Sequence, residues 1–287
     1  MRKVIILILG CLVGIAACDD DKKLSTEGGG SDSDTSDGVA FPVYKSGSES
    51  GHDYVDLGLS SGTKWATCNV GATQPQEYGD YFAWGEVKPK DYYDWSTYKY
   101  GSDYNEITKY CGDSDLGKYG FTDDKDVLNL SDDAAYVNWG GKWRMPTYDQ
   151  IIELLDECYW VWTDGYNNSK KHGYIVYKAK SASDKGILIE HGETPSASYS
   201  LTDAHIFMPA AGCRVFGDYS GRQFFQHWGY YWSSSLDDFS DNRAENIHFY
   251  EIDAYYGDEN YYDSRGSIRY IGMSVRAVIP GKYKMEL

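Results

Sequence analysis

Hydrophobic and polar positions alternate with period two in two short segments near the start of the globular part of the chain. These segments, residues 54–57 and 64–68, are separated by the glycine- and serine-rich residues 58–62. Two alternating segments around such a turn predict a β-hairpin. A further short strand is predicted at residues 81–84, whereas residues 88–129, which are rich in Tyr, Asp, Gly and Lys, predict mainly loop.

Two helices are predicted in the middle of the chain. The first begins at residues 131–133, Ser-Asp-Asp, which are residue types that cap helix N-termini and suit the positive end of the helix dipole. The second follows Pro146, with Thr147 as its N-cap and Gln150 at the position that completes a capping box. Its apolar residues recur at helical spacing and predict a buried face: Ile151, Ile152, Leu154 and Leu155.

The chain after residue 162 has the pattern of strands joined by loops. The predicted strands are residues 174–177, 186–189, 204–208, 230–235, 246–252 and 272–279. Trp232 lies inside one of these strands, and we expect it in the core. Strands, then two helices, then further strands predict one α+β domain.

The N-terminus has the pattern of an export signal. Two basic residues precede an apolar run, residues 4–17, which is too short to span a bilayer comfortably as a helix and ends in small residues. Residues 12–18, LVGIAAC, resemble the lipobox of bacterial lipoproteins, in which the cysteine is acylated. Cys18 is therefore the predicted lipidation site, since Cys11 would leave too short an apolar run before it. Simple secretion, with Cys18 as an ordinary thiol, is the alternative.

This interpretation divides the chain into three parts. Residues 1–17 are a lipoprotein signal peptide. Residues 18–45 are acidic and rich in Ser and Gly, and they cannot bury enough apolar surface to offset the entropy of ordering, so they predict a flexible tether. Residues 46–287 form the folded domain. Acidic residues directly after Cys18 resemble the surface-export signal of lipoproteins in the Bacteroides group, so we expect a lipid-anchored, surface-exposed protein of the outer membrane.

Charge and cysteine content narrow the possible partners. The chain of 287 residues has a net charge of −17. Such a polyanion lacks the basic stripe that displaces counterions from phosphates, so nucleic acid is not an expected partner. Four cysteines remain beyond the lipobox, and they allow either two disulfide bridges or four buried free thiols: Cys68, Cys111, Cys158 and Cys213. The sequence contains no C-x-x-C pair, so a structural zinc site is not expected.

Three patterns that could carry chemistry are each better explained otherwise. The residues around Ser60 match G-x-S-x-G by letter, but a nucleophile elbow needs a helix after the serine, and a strand follows here. The acidic residues between 123 and 133 match no EF-hand spacing and are interpreted as solvated surface and helix caps. His191 adjoins Glu190 and lies near Glu193, an acid/base or metal pair that no further residue supports. We therefore predict no enzyme activity, no metal and no cofactor.

Aromatic residues are the compositional outlier, with 28 Tyr and 9 Trp. In the last third of the chain they are mixed with Ser, Gly, Asp and Asn, a combination typical of antibody paratopes and also suited to stacking on sugar rings. Tyrosine-rich loops without a partner are the alternative. We place the ligand face in the loops that flank the late strands, at about residues 217–231 and 255–270. The expected anchors are Trp228, Tyr230, Tyr256, Tyr261 and Tyr262.

Six blocks of sequence occur in order along residues 52–279: YVDLGLSSGTKWATCNVGA, EYGDYFAWGE, NWGGKWRMPTYDQIIELL, MPAAGCR, GYYWSSS and IGMSVRAV. Together they resemble the Fibrobacter succinogenes major paralogous domain, which is common in secreted and lipid-anchored proteins of Bacteroidetes. Members of that family usually carry proline at the positions of Ser60 and Ala277. The first departure argues further against a nucleophilic serine.

The resemblance implies a C-type-lectin-like fold, an α+β arrangement of two helices packed on a small twisted, mainly antiparallel sheet with long loops. In such folds the R-M-P-T segment leads into a scaffold helix, and the loops carry recognition. The same lead-in resembles formylglycine-generating enzymes, but their active cysteines lie near the C-terminus and no cysteine follows Cys213. The calcium-binding motifs of lectins are absent as well.

The predicted function is that of a cell-surface lipoprotein that displays a non-catalytic domain for binding an unknown glycan or protein ligand. A membrane is an expected partner only through the lipid on Cys18. Two alternatives from other classes are a glycan-active enzyme and a structural subunit of a surface assembly.

Overall fold

The computed structural model describes residues 40–216, 222–223, 226–251, 253–256 and 266–281, with the backbone alone for residues 222–223 and 253–256. The helices are α1 (Ala134–Trp139) and α2 (Tyr148–Glu157). The strands are β1 (Gly47–Glu49), β2 (His52–Val55), β3 (Lys64–Asn69), β4 (Cys158–Thr163), β5 (Gly173–Lys178), β6 (Ile187–Ile189), β7 (His205–Pro209), β8 (Cys213–Arg214), β9 (Arg222–Gln223), β10 (Trp228–Leu236), β11 (Arg243–Tyr250), β12 (Asp253–Tyr256), β13 (Gly266–Ile268) and β14 (Arg276–Ile279). The fold class is α+β, as predicted.

The described strands form three four-stranded sheets and one two-stranded pair, β8 with β9. The first sheet has the order β1-β2-β3-β14 and the second has the order β6-β4-β5-β7. In the third, β10, β11 and β12 lie side by side and β13 also pairs with β11. Among the described strands, all pairs are antiparallel except β4 with β6. The expectation of one small sheet is therefore wrong in extent, because the aromatic-rich strands after α2 supply enough apolar surface for two further sheets.

Helix α2 begins as the sequence predicts. The Thr147 hydroxyl accepts from the backbone N–H of Gln150 at 3.4 Å, and the Gln150 side chain accepts from the N–H of Thr147 at 2.9 Å. Ile151 and Leu154 are buried among residues of all three sheets, while Leu155 lies at the edge of that cluster. The apolar spacing thus places α2 under the sheets as the scaffold helix of the domain.

The end of α2 differs from the expectation. The helix ends at Glu157, and β4 begins at the next residue, Cys158, without a loop. Residues 158–160 continue the apolar run of the helix, so the sequence pattern does not show where the helix ends and the strand begins. Conversely, the predicted strand at residues 81–84 is reduced to an isolated antiparallel pairing of Phe82 with Met273.

Asp133 explains part of the acidic run. Its side chain caps α1 by accepting from the N–H of Tyr136 at 2.9 Å, and it also accepts from the N–H of Met145 at 2.9 Å. One carboxylate therefore joins the start of α1 to the lead-in of α2. Within the described residues, no group of three or more His, Cys, Asp or Glu side chains is arranged to hold a metal ion.

The core is rich in aromatic side chains, and buried arginines cross-link it. Trp232 is fully buried, as expected. Arg276 is fully buried and donates to Asn69 Oδ1 and to the carbonyl oxygens of Ala66, Thr67 and Phe207, all within 3.1 Å. Such charge-assisted bonds satisfy carbonyl groups that the irregular edges of the sheets leave without a partner.

The four cysteines of the domain are free thiols: Cys68, Cys111, Cys158 and Cys213. These four cysteines therefore form no disulfide bridge in the structure, and the alternative with two bridges is wrong. Cys158 and Cys213 belong to different hydrophobic clusters, and the Cys111 thiol donates to the carbonyl oxygen of Asp113 at 3.2 Å. Among the helices of the described part, none is long and apolar enough to cross a bilayer.

Candidate binding surface

Four aromatic side chains occupy paired positions on β10 and β11. Trp228 is the cross-strand partner of Tyr250, and Tyr230 is the partner of His248. Residues two apart on a strand, and partners directly across an antiparallel pair, point to the same face of the sheet. We call these four residues the aromatic face. The intervening residues point to the opposite side, where Tyr231, Ile247 and Phe249 are buried in the core.

The rings of the aromatic face are nearly parallel. Trp228 and Tyr250 have centroids 4.5 Å apart at an angle of 24°. Trp228 and Tyr230 are 6.0 Å apart at 13°, and Tyr230 and His248 are 5.7 Å apart at 24°. Trp228, Tyr230 and Tyr250 are each partly exposed, whereas His248 is buried. The four rings therefore form a continuous stacked array.

The backbone under the array is fixed by core packing. At Gly229 a Cβ atom would lie 2.1 Å from Cζ of Phe249, so only glycine allows the Phe249 ring to approach β10 this closely. Tyr231 donates its hydroxyl to the carbonyl oxygen of Pro209 at 2.7 Å. The residues that alternate with the array are thus locked, so core packing holds the backbone that carries the four rings.

The predicted anchors fall into three groups. Trp228 and Tyr230 lie on the aromatic face. Tyr261 and Tyr262 lie outside the described residues, as do parts of both predicted ligand loops. The backbone of Tyr256 pairs with Ile247, a core residue, whereas it is Tyr255 that pairs with His248.

The sequence interpretation missed His248 and Tyr250. Both lie in the segment NIHFYE, where polar or amphipathic residues alternate with Ile247 and Phe249. That alternation marks the outer positions of a half-buried strand. Pairing the segment with residues 228–231 would have brought the four rings together, but the register of two strands cannot be read from either strand alone.

The residues considered for catalysis have structural contacts. The Ser60 hydroxyl and backbone N–H both bond to the carboxylate of Glu157, the last residue of α2. His191 is paired with Asp164, with Nε2 and Oδ2 2.8 Å apart, and not with Glu190 or Glu193. Burial raises the pKa of Asp164, but hydrogen bonds from Trp162 and His191 outweigh this effect and leave the pKa below its usual value. No further residue in the sequence supported a pair of His191 with Glu190 or Glu193, and in the structure His191 contacts Asp164 instead.

The aromatic face can bind by stacking and apolar contact. Flat π surfaces accept the C–H faces of sugar rings and the side chains of a protein partner, and Trp and Tyr contribute large contact areas at low entropic cost. No family model, no curated protein and no solved structure matches the chain.

Proposed function

We propose that the protein is a lipid-anchored outer-membrane protein whose C-type-lectin-like domain, residues 46–287, binds a glycan or protein ligand without catalysis. The observation that carries this proposal is the aromatic face, four stacked rings at paired positions of β10 and β11. The lectin-like assignment is supported by α2, which follows the R-M-P-T segment and packs beneath mainly antiparallel sheets.

The chemistry of the array favours recognition. Interfaces concentrate binding energy in a few Trp, Tyr and Arg side chains that lie in well-packed surroundings. Trp228 and Tyr250 form the most closely stacked pair of the array. Because strands and not loops hold these rings, a ligand would not need to immobilise them.

The test is binding of the full chain to an array of glycans and host proteins. For any ligand found, Trp228→Ala and Tyr250→Ala should each weaken binding by about 1–2 kcal/mol, which is roughly five- to thirtyfold. Tyr119→Ala is the matched control, because Tyr119 is 97% exposed and lies far along the chain from the array. Equal binding by all three variants, with unchanged circular dichroism, would refute the role of the aromatic face.

The membrane anchor has its own test. Cys18→Ala should abolish acylation and leave the leader uncleaved by the lipoprotein peptidase, since the acylated cysteine is the cleavage signal. Palmitate labelling of cells that express each form measures this directly. Normal labelling of the Cys18→Ala protein would exclude the lipoprotein assignment without affecting the binding proposal.

A glycan-active enzyme is the second candidate, and one observation favours it. A cleft of about 380 Å³ at the N-terminus of α2 is lined by four carboxylates: Asp126, Asp149, Asp238 and Glu245. Glycosidases use two carboxyl groups about 5–10 Å apart. Release of reducing ends from a glycan bound on the array, lost in Asp149→Asn or Glu245→Gln, would support this candidate. A bound glycan recovered intact would exclude it.

A further inference from the structure

A second cavity lies next to β8, and its described lining residues are distinct from those of the aromatic face. Its volume is about 300 Å³, and its polar and aromatic lining consists of Asp80, Tyr81, Lys90, Asp91, Tyr93 and Arg214. This volume is at the lower end of the range for small-molecule sites, which suits a ligand the size of one sugar ring.

Arg214 is held in place by its backbone. Its N–H donates to the carbonyl oxygen of Gly272 at 2.8 Å, and its carbonyl accepts from the N–H of Gly272 at 2.9 Å. The guanidinium group lies over the ring of Tyr81, 4.9 Å from the centroid. Stacking on an aromatic ring fixes the plane of an arginine and leaves its edge available for hydrogen bonds.

The guanidinium of Arg214 has no acceptor among the residues that the structure describes. Its Nε atom is buried without a hydrogen-bond partner, and no ion pair or hydrogen bond involves its Nη atoms. The other arginines are different: Arg269 donates to four groups, and Arg144, which also stacks on a tyrosine, donates to two carbonyl oxygens. A buried donor without a partner is costly, so this arrangement points to an acceptor that a ligand supplies.

The walls around Arg214 are rigid. Tyr81 donates its hydroxyl to the carbonyl oxygen of Ala211 at 2.5 Å. Tyr93 donates to the carbonyl oxygen of Tyr81 at 2.7 Å and accepts from the backbone N–H of Lys90 at 3.1 Å. Both phenols are therefore used internally, and their rings serve as fixed apolar walls.

The charged side chains of the cavity differ in whether they already have a partner within the protein. Lys90 is already paired with Glu86 at 2.9 Å and with the carbonyl oxygen of Thr97 at 3.0 Å, so its ammonium group is satisfied. Asp80 and Asp91 form no ion pair and no side-chain hydrogen bond with other described residues. The cavity thus combines one available guanidinium, which matches a planar carboxylate, with two carboxylates that accept from hydroxyl groups.

We propose that this cavity binds a sugar acid, with the ligand carboxylate on Arg214 and ring hydroxyls donating to Asp80 and Asp91. A phosphate would bring up to two negative charges into a cavity that already holds two aspartates, whereas a hexuronic acid brings one carboxylate and several hydroxyl groups. The proposal rests on the cavity alone and does not depend on the aromatic face.

Two exposed rings beside the cavity extend it. Tyr92 is 42% exposed and Phe216 is 50% exposed, and their centroids are 6.3 Å apart. The backbone N–H of Phe216 donates to the carbonyl oxygen of Tyr93 at 2.9 Å, which attaches this pair to the cavity wall. Neighbouring residues of a longer acidic glycan would find a stacking surface there.

The test is to titrate the full chain separately with glucuronate, glucose and inorganic phosphate. Calorimetry and ligand-observed NMR measure the binding. Glucuronate should bind at least about tenfold more tightly than glucose or phosphate. Arg214→Gln should lose at least about tenfold in affinity for glucuronate, and Arg214→Lys should lose less, since a lysine keeps the charge but not the fork. Arg144→Gln is the matched control and should bind like the wild type.

Several results would overturn the proposal. Equal binding of glucose would remove the role of the carboxylate, and equal binding of phosphate would indicate an adventitious anion only. Undiminished glucuronate binding by folded Arg214→Gln would place the ligand elsewhere. If that variant does not fold, Arg214→Lys decides, because wild-type affinity there would contradict bidentate binding. Absence of glucuronate binding at about 10 mM would also refute the assignment.

Discussion

Replacing Asp132 by asparagine should destabilise the domain strongly. Asp132 ends the short helical turn before α1 and is only 3% exposed. Its carboxylate accepts from the hydroxyl groups of Tyr100 at 2.5 Å and Tyr110 at 2.6 Å, and from Lys99 at 3.2 Å and Lys109. One side chain therefore ties the long loop of residues 88–129 to the helical part of the domain.

The expected loss of stability follows from the pKa of Asp132 and from the hydrogen-bond donors that its carboxylate accepts from. Burial raises this pKa, but the hydrogen bonds from Lys109, Tyr100 and Tyr110 outweigh burial and lower it from 3.8 to about 2. At about 1.4 kcal/mol per pKa unit, ionisation of this group stabilises the folded state by roughly 2 kcal/mol at neutral pH. An asparagine at this position would also leave buried donors without a charged acceptor, so the total loss should lie between about 2 and 5 kcal/mol.

The assay is urea unfolding of the wild type and Asp132→Asn at pH 7 and pH 3. A lowered pKa in the folded state gives stability that is present above the unfolded value and is lost as the pH falls from about 4 towards 2. The difference between the two proteins should therefore shrink by roughly 1 kcal/mol at pH 3. Asp126→Asn, at an exposed position nearby in the chain, is the control and should change stability by less than about 0.5 kcal/mol.

A loss below about 1 kcal/mol at pH 7 would show that the carboxylate is not needed to hold the loop. A large loss that is the same at both pH values would show a packing defect and not the loss of an ionised acceptor. Either result would refute the reasoning from the pKa of Asp132.

Three further predictions concern the folded domain. Leu154→Ala should cost about 2–5 kcal/mol of unfolding free energy and Leu155→Ala under about 2 kcal/mol, because Leu154 is fully buried and Leu155 is only partly buried. Chemical denaturation measures both losses, and equal losses would contradict the orientation of α2. Gly229→Ala should cost about 1–3 kcal/mol through the clash with Phe249, and a neutral result would contradict the packing under the aromatic face. Non-reducing peptide mapping should find no disulfide bridge among the described cysteines, and a thiol reagent should label partly exposed Cys68 first in the native protein.

The local signals in the sequence predicted the scaffold well. Thr147 and Gln150 form the predicted capping box because that motif depends on residues three apart in one chain segment. The hairpin of β2 and β3 formed for a similar reason, with Tyr54 opposite Ala66. Both features depend on short-range interactions, which a sequence pattern records directly.

Features that depend on distant residues were not predictable in the same way. Asp132 was interpreted as a solvated or capping residue because its partners at positions 99–110 come from a segment without regular structure. Arg214 has the same difficulty, since an arginine with an available guanidinium and one with four acceptors have identical sequence signals. Only the folded arrangement separates Arg214 from Arg269.

Tyrosine content shows the same limit on the scale of one strand. Tyr230 and Tyr231 are neighbours in β10, but Tyr231 is 1% exposed in the core and Tyr230 stacks with Trp228 on the other face. Composition predicts that some tyrosines recognise a ligand, and the period of two predicts that adjacent residues part to opposite faces. Which of these two tyrosines points outwards depends on the pairing with β11, where Ile247 and His248 alternate in the same manner. A shift of one residue in that pairing would bury the array and expose the core residues, so the candidate site and the stability of the domain depend on the same register.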